Sequence, residues 1–337
     1  MTARGGAGLR VALALVVVAV AGCALVPADR EPADAAADNA FAPTPTGLRA
    51  QPLADGVWVL RGSGGEAAPR NRGWIANIGV IAGPNGVVLI DTGSSRNQIE
   101  AALAAVAQLT PLPVVMAVVT HQGPEAVFGA AALRARGIPL VAHERAANLI
   151  EQRCAICLAR LRETLGANEM RGSDVTVPDR RIDGDATISV GGRAIDLIDV
   201  SQSRGSGDIV VLDRASGVLF ASGLASAGRL PELHDGDIAG WLAALARLDT
   251  LVRELEPAAI VVPGFGAPGG AEVLADTRGY LTGLDAAVHA AQALDIGLVT
   301  AMDSLKVTGY ERWAGQTSIG PQNVQKRWLA IEKSERP

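Results

Sequence analysis

Two apolar β-branched runs set the terms for this fold: "VVLIDTG" at residues 87–93 and "VVMAVVTH", which ends at Thr120 and His121. Each is too short for a buried helix, each stops at a polar residue, and each is followed by a stretch with helical periodicity, 95–109 after the first and 124–136, closed by Gly137, after the second. Further strands are expected at "GVWVLRG", "GWIANIGVIAG" and "IPLVAH", with "GPNG" as a hairpin turn. A second series repeats the theme. "DATISVGGRAIDLIDV" reads as a hairpin turning at Gly191 and Gly192, "DIVVLDRASGVLFASG" as another, followed by a helix over 237–254 and the strand "AAIVVPG". Helical stretches near 270–291 and 322–332 close the chain. Strands and helices alternating with hairpins mixed in predict a layered α/β architecture with helices covering sheets.

The composition agrees. Of 337 residues, 49% are hydrophobic and only 3% aromatic, which fits an Ala/Val/Leu-packed core. The formal net charge is −5 and no lysine or arginine cluster stands out, so the electrostatic footprint of a nucleic-acid binder is missing.

The N-terminus reads as an export signal. Arg4 and Arg10 form its basic part, and Val11 to Ala21 an apolar run too short to span a bilayer comfortably. Its end, "VAGC", resembles the lipobox of bacterial lipoproteins, which implies cleavage before Cys23 and lipidation of that thiol. The mature chain is then expected in the bacterial cell envelope, facing the periplasm, with Ala24 after the cysteine resembling signals that permit sorting to the outer membrane. Residues 24–50, rich in Ala, Pro and Asp, read as a flexible tether.

Cys154 and Cys157 remain, in a helix-like stretch ending at Gly166. An even pair in an exported chain favours a disulfide. A redox-active CxxC and half of a zinc site are the other readings, the first lacking a thioredoxin-like context and the second lacking a further cysteine pair.

In their order and spacing, "VVLIDTG", "VVTH" before a helix, "GSGDIVVLDRASGVLFASGL" and "VVPGFG" resemble the metallo-beta-lactamase superfamily of metal-dependent hydrolases. The resemblance implies an αββα four-layer sandwich over 51–270, with a helical C-terminal extension over 271–337. "NRGWIANIG", the CAIC helix, "VPDRRIDGD", "LPELHDGDIAGW" and the tail are similar to the branch called quinoprotein relay system zinc metallohydrolases, exported proteins associated with quinone-cofactor dehydrogenases.

The resemblance also implies a zinc cage, and position by position this sequence departs from it. His121 matches the first histidine of the HxHxDH turn, but Gly123, Glu125 and Ala126 stand where the second histidine, the aspartate and the last histidine belong. Arg204 replaces the histidine of the HTxGD stretch, with Asp208 kept; Gly223 takes the place of the bridging aspartate, and Phe265 that of the PGHG histidine. A zinc site needs three or four donors, and neither glycine, alanine nor phenylalanine offers one. The expectation is a site without metal or other cofactor. Zinc returns only if His121, Glu125, Asp208 and His234 combine in a mononuclear site, the basis of a hydrolase reading for an ester, lactam or thioester. Otherwise His234 belongs to a turn capping the next helix.

Candidate catalytic groups are thus His121, Glu125 and Asp208, none with an assignable reaction. Asp91 pairs with Glu125 for acid/base work or, as the resemblance implies, supports the site from behind. The expected pocket comprises Asp91, His121, Gly123, Glu125, Arg204, Gly223 and Phe265. Glycine, proline and an acid at 123–125 make a strong helix start, so Arg204 and the helix N-terminus together suit a small anionic ligand. Alternatively Arg204 pairs with Glu125 or Asp208 and plugs the site. A periplasmic protein is the other expected partner.

Overall fold

The computed structural model describes residues 43–44, 47–233, 236–255 and 257–335. The export signal with Cys23, most of the tether, and His234 lie outside them. The first sheet has seven strands in chain order: β1 (Ala50–Ala54), β2 (Val57–Leu60), β3 (Ile78–Gly83), β4 (Gly86–Ile90), β5 (Val114–Val119), β6 (Leu140–His143) and β7 (Arg180–Ile182). The first four pair antiparallel and the rest join in parallel. The second sheet holds β8 (Ala186–Val190), β9 (Arg193–Asp199), β10 (Ile209–Asp213), β11 (Val218–Ser226) and β12 (Ile260–Phe265), also in chain order, with only the last pair parallel.

Period-two burial explains the stacking. In β4, Val88 and Ile90 face the second sheet while Val87 and Leu89 face outward; in β10, Ile209 and Val211 face the first sheet while Val210 and Leu212 point away. Both faces of each strand are apolar because both are covered, which is why the runs do not alternate in sequence. Helix α1 (Arg96–Leu109) closes the outer face of the first sheet through Ile99, Ala102 and Val106. Ser95 caps it, its hydroxyl accepting from the Gln98 amide at 3.1 Å.

The expected helix over 124–136 is broken into α2 (Pro124–Val127) and α3 (Ala130–Arg134). The loop after β4 intervenes: Thr92 donates through both its amide and its hydroxyl to the Ala126 carbonyl, and the Phe128 and Gly129 amides donate to the Gly93 carbonyl. With backbone groups drawn sideways, the ladder cannot continue. Helix α4 (Glu144–Leu165) follows β6.

On the outer face of the second sheet lie α5 (Ile238–Leu255), α6 (Glu272–Ala293) and α8 (Ile319–Glu335), with α7 (Leu298–Ser304) between the last two. Trp241, Leu245, Leu281, Leu284 and Trp328 fill this layer, so the order across the molecule is helices, sheet, sheet, helices. Asn323 of α8 pins the tail, its amide donating to the Pro231 carbonyl and its carbonyl accepting from the Leu233 amide. Among the described residues no helix is long and apolar enough to cross a membrane.

Candidate functional site

The site lies where β4 and β5 end and β10 begins, beside the middle of β11. β5 runs out at Thr120, whose carbonyl accepts from the first amide of β10, Ile209, at 2.9 Å, so the two sheets are joined there. Two side-chain-bearing residues around it, Asp91 at φ 66° and Ser222 at φ 45°, occupy the left-handed region that normally favours glycine. Such conformations persist only where surroundings impose them, and here the Ser222 side chain helps to favour the charged form of Asp91.

A hydrogen-bonded line runs from Asp91 to Glu125. The Thr120 amide donates to Asp91 Oδ1 at 2.8 Å, and the Thr120 hydroxyl lies 2.9 Å from both carboxylate oxygens and 2.8 Å from His121 Nδ1. His121 Nε2 is 2.9 Å from Glu125 Oε1. The hydroxyl has one proton for two neighbours. When it donates to Asp91, His121 Nδ1 donates to the hydroxyl and the ring is an imidazolium; when Asp91 holds the proton, the hydroxyl donates to Nδ1 and the ring is neutral. Both states carry the same protons and net charge, and in both Nε2–H donates to Glu125.

Burial pushes the Asp91 carboxyl above its usual range, against the opposing pull of His121 and the Thr120 hydrogen bonds. Burial also acts to raise Glu125, but the hydrogen bond and charge of His121, with the charge of Arg204, outweigh it and hold that carboxyl well below the usual range. A depressed folded pKa stabilises the fold above the unfolded pKa, and the contribution fades as pH falls through the folded value; Asp91, shifted upward, works in the opposite sense. Glu125→Gln should therefore flatten the acid limb of stability below about pH 4.5, by up to about 1.4 kcal/mol per pH unit. Urea titrations of parent and variant between about pH 3 and 6 test it; parallel curves would show that Glu125 is not held as described.

Across the site, Arg204 Nε donates to Asp208 Oδ2 at 3.1 Å, with both side chains at most 4% exposed. Burial acts to lower the Arg204 pKa, but Asp208 and Glu125 raise it overall, so the guanidinium is a fixed cation. Its plane covers Gly223: a Cβ on that glycine would lie 2.8 Å from Arg204 Cζ and 3.0 Å from Nε and Nη2. On the opposite wall a Cβ on Gly123 would lie 2.5 Å from His121 Nε2 and closer still to Glu125 Oε1. The two glycines are thus the floor on which the charged groups rest. Phe265 is buried against Ile75 and Ala76, with the Arg229 guanidinium 4.1 Å above its ring.

The structure thus gathers Asp91, His121, Gly123, Glu125, Arg204, Asp208 and Gly223 in one place, with Phe265 at the end of β12. Sequence reasoning missed Thr120 and Ser222, which tie the site to Asp91, although "TH" at the end of a strand marked the first. Of the two carboxylates considered as partners for Arg204, Asp208 is the one its Nε hydrogen-bonds. The expected N-terminus of a long helix is corrected to a single four-residue turn, too short for an appreciable dipole.

The expected disulfide is also corrected, because Cys154 and Cys157 are free thiols within α4. Residues three apart on a helix hold their Cβ atoms about 5–6 Å apart, whereas a disulfide needs about 3.5–4.5 Å. The Cys154 thiol donates to the Gln122 carbonyl instead.

The sequence profile of the metallo-beta-lactamase superfamily matches residues 71–264. The chain belongs to the metallo-beta-lactamase superfamily. Solved structures similar to it share the fold. A metallo-beta-lactamase from Pontibacter korlensis is 22% identical with a TM-score of 0.56, over 70% of this chain and 99% of its own. A metallo-beta-lactamase from Pseudomonas aeruginosa in a mono-zinc form is 19% identical with a TM-score of 0.55, over 70% of this chain and 95% of its own. One from Erythrobacter litoralis, with beta-mercaptoethanol in its active site, is 20% identical with a TM-score of 0.53, over 70% of this chain and 96% of its own.

Proposed function

We propose that this superfamily member is a noncatalytic protein of the cell envelope, tethered through a lipid on Cys23, whose former metal site is held by its own charged side chains. It serves a ligand- or partner-binding role in the periplasm, beside a quinoprotein dehydrogenase system in the branch that its sequence resembles. The observation that carries this reading is Arg204 lying across Gly223. A guanidinium, always cationic and without an acceptor, stands on the ground of a bridging carboxylate and is bound to Asp208, a carboxylate otherwise available to a metal. His121 and Glu125 are likewise engaged with each other, and among the described residues no three His, Cys, Asp or Glu side chains gather to hold a metal ion. These groups do not fit zinc, which needs several donors within bonding distance.

A small anionic ligand is the second reading. Of the Arg204 nitrogens only Nε has a hydrogen-bond acceptor among the described residues, leaving the terminal amino groups for a carboxylate or phosphate oxygen.

The test is metal content. The purified protein, incubated with zinc and desalted, should retain almost none, and a Glu125→Ala control should match it. About one tightly held ion per chain, lost in the control, would instead restore a mononuclear hydrolase built on His121, Glu125, Asp208 and His234.

A further inference from the structure

The cysteine pair of α4 borders the site just described, where the Glu125 charge acts on both thiols, and it is placed for chemistry of its own. Cys154 is buried against Ala126, Val127 and Phe128, and its thiol donates to the Gln122 carbonyl at 3.6 Å. Cys157, one turn later, is half-buried, and Ile156 between them is largely exposed, so the pair reaches from the core to the surface. The helix keeps the thiols near each other while holding the Cβ atoms too far apart for a disulfide. An exported protein with two neighbouring thiols would ordinarily lose them to oxidation; here the backbone opposes that.

We propose that Cys154 and Cys157 form a two-sulfur site for a soft monovalent cation, the cuprous ion. Side chains three apart share one face of α4, with Cβ atoms about 5–6 Å apart, so one ion can bridge the two sulfurs by modest turns of the side chains. Thiolates select soft ions. Zinc and other ions that require three or four protein donors are disfavoured, because no third donor side chain joins the pair among the described residues. A low-coordinate cuprous ion has no such requirement.

Proton availability agrees. The neighbouring Cys154 thiol lowers the Cys157 pKa to about 6, with burial and the Glu125 charge opposing and Arg160 assisting; Cys157, together with burial and Glu125, raises Cys154. One thiolate is therefore ready near neutral pH. Binding replaces the Cys154 S–H bond with a sulfur–copper bond and releases one proton to solvent, and no electron changes hands. The resulting bis-thiolate complex carries one negative charge, which the Arg160 charge favours.

Anaerobic titration of the reduced full chain with cuprous ion, against a chromogenic cuprous chelator, should show one ion per chain withheld from the chelator. Cys154→Ser and Cys157→Ser should each weaken retention by more than the about 10–100-fold typical of losing a supporting group. His121→Gln should leave it unchanged, and circular dichroism should show all variants folded. Failure of the parent to compete would overturn the proposal. So would equal retention by the Cys154→Ser/Cys157→Ser double variant, which would assign the ion to Cys23 or elsewhere. A chain isolated with a 154–157 disulfide would also overturn it. None of these results bears on zinc at His121 and Glu125, so the two proposals stand or fall separately.

Discussion

Arg204→Ala should destabilise the fold by about 3–5 kcal/mol, the usual consequence of removing one partner from a buried ion pair. The variant strands Asp208. Its Oδ2 loses the Arg204 hydrogen bond, and its Oδ1 is already buried without a partner among the described residues. Glu125 loses a cation as well. At roughly 2–4 °C per kcal/mol for a domain of this order of size, the melting temperature should fall by about 10 °C. Combining it with Asp208→Asn should recover much of the loss, since the stranded charge is then gone. A melting temperature within about 2 °C of the parent would sink the idea of a structural ion pair and move Arg204 to the anion-binding reading.

Gly223→Val tests the same contact from below. Gly223 has no positive φ and sits in β11, where valine is ordinarily welcome, so neither backbone strain nor strand propensity opposes the change. The objection is local: its Cβ would meet the guanidinium at 2.8 Å and push Arg204 away from Asp208. Overpacking together with a disturbed buried pair should amount to about 3 kcal/mol. With Arg204→Ala already present, the added loss should be under about 1 kcal/mol, a coupling that a double-mutant cycle by urea unfolding reads directly. Additive losses would mean that valine fails for some reason other than the guanidinium.

The elements that read clearly from the sequence are those whose signal is local. The Gly191–Gly192 hairpin, the "VVLI" and "VVMAVV" strands and the helix over 237–254 all stand within a residue or two of where their patterns place them. The break between α2 and α3 was hidden because its cause is distant in sequence: Thr92 and Gly93 capture backbone groups more than thirty residues away. The substitutions at 123, 204, 223 and 265 could be read by counting along the motifs. That Arg204 would lie on Gly223 could not, since it depends on how the loop between β9 and β10 folds over β11. For the cysteines, compartment chemistry pointed to a disulfide and helix geometry decided otherwise.

The strand order has a consequence for how the chain assembles. Both sheets are built in sequence order, so each new strand adds beside one already made, and the loops to be closed within a sheet stay short except where helices cross over. The first sheet, complete by Ile182, can therefore form as a unit while the second half is still being synthesised. Asp91, His121 and Glu125 belong to that first unit; Arg204, Asp208 and Gly223 belong to the second. The Arg204 guanidinium comes within range of the Glu125 charge only when the halves dock, which makes this attraction a late event of folding and a seal on the finished molecule.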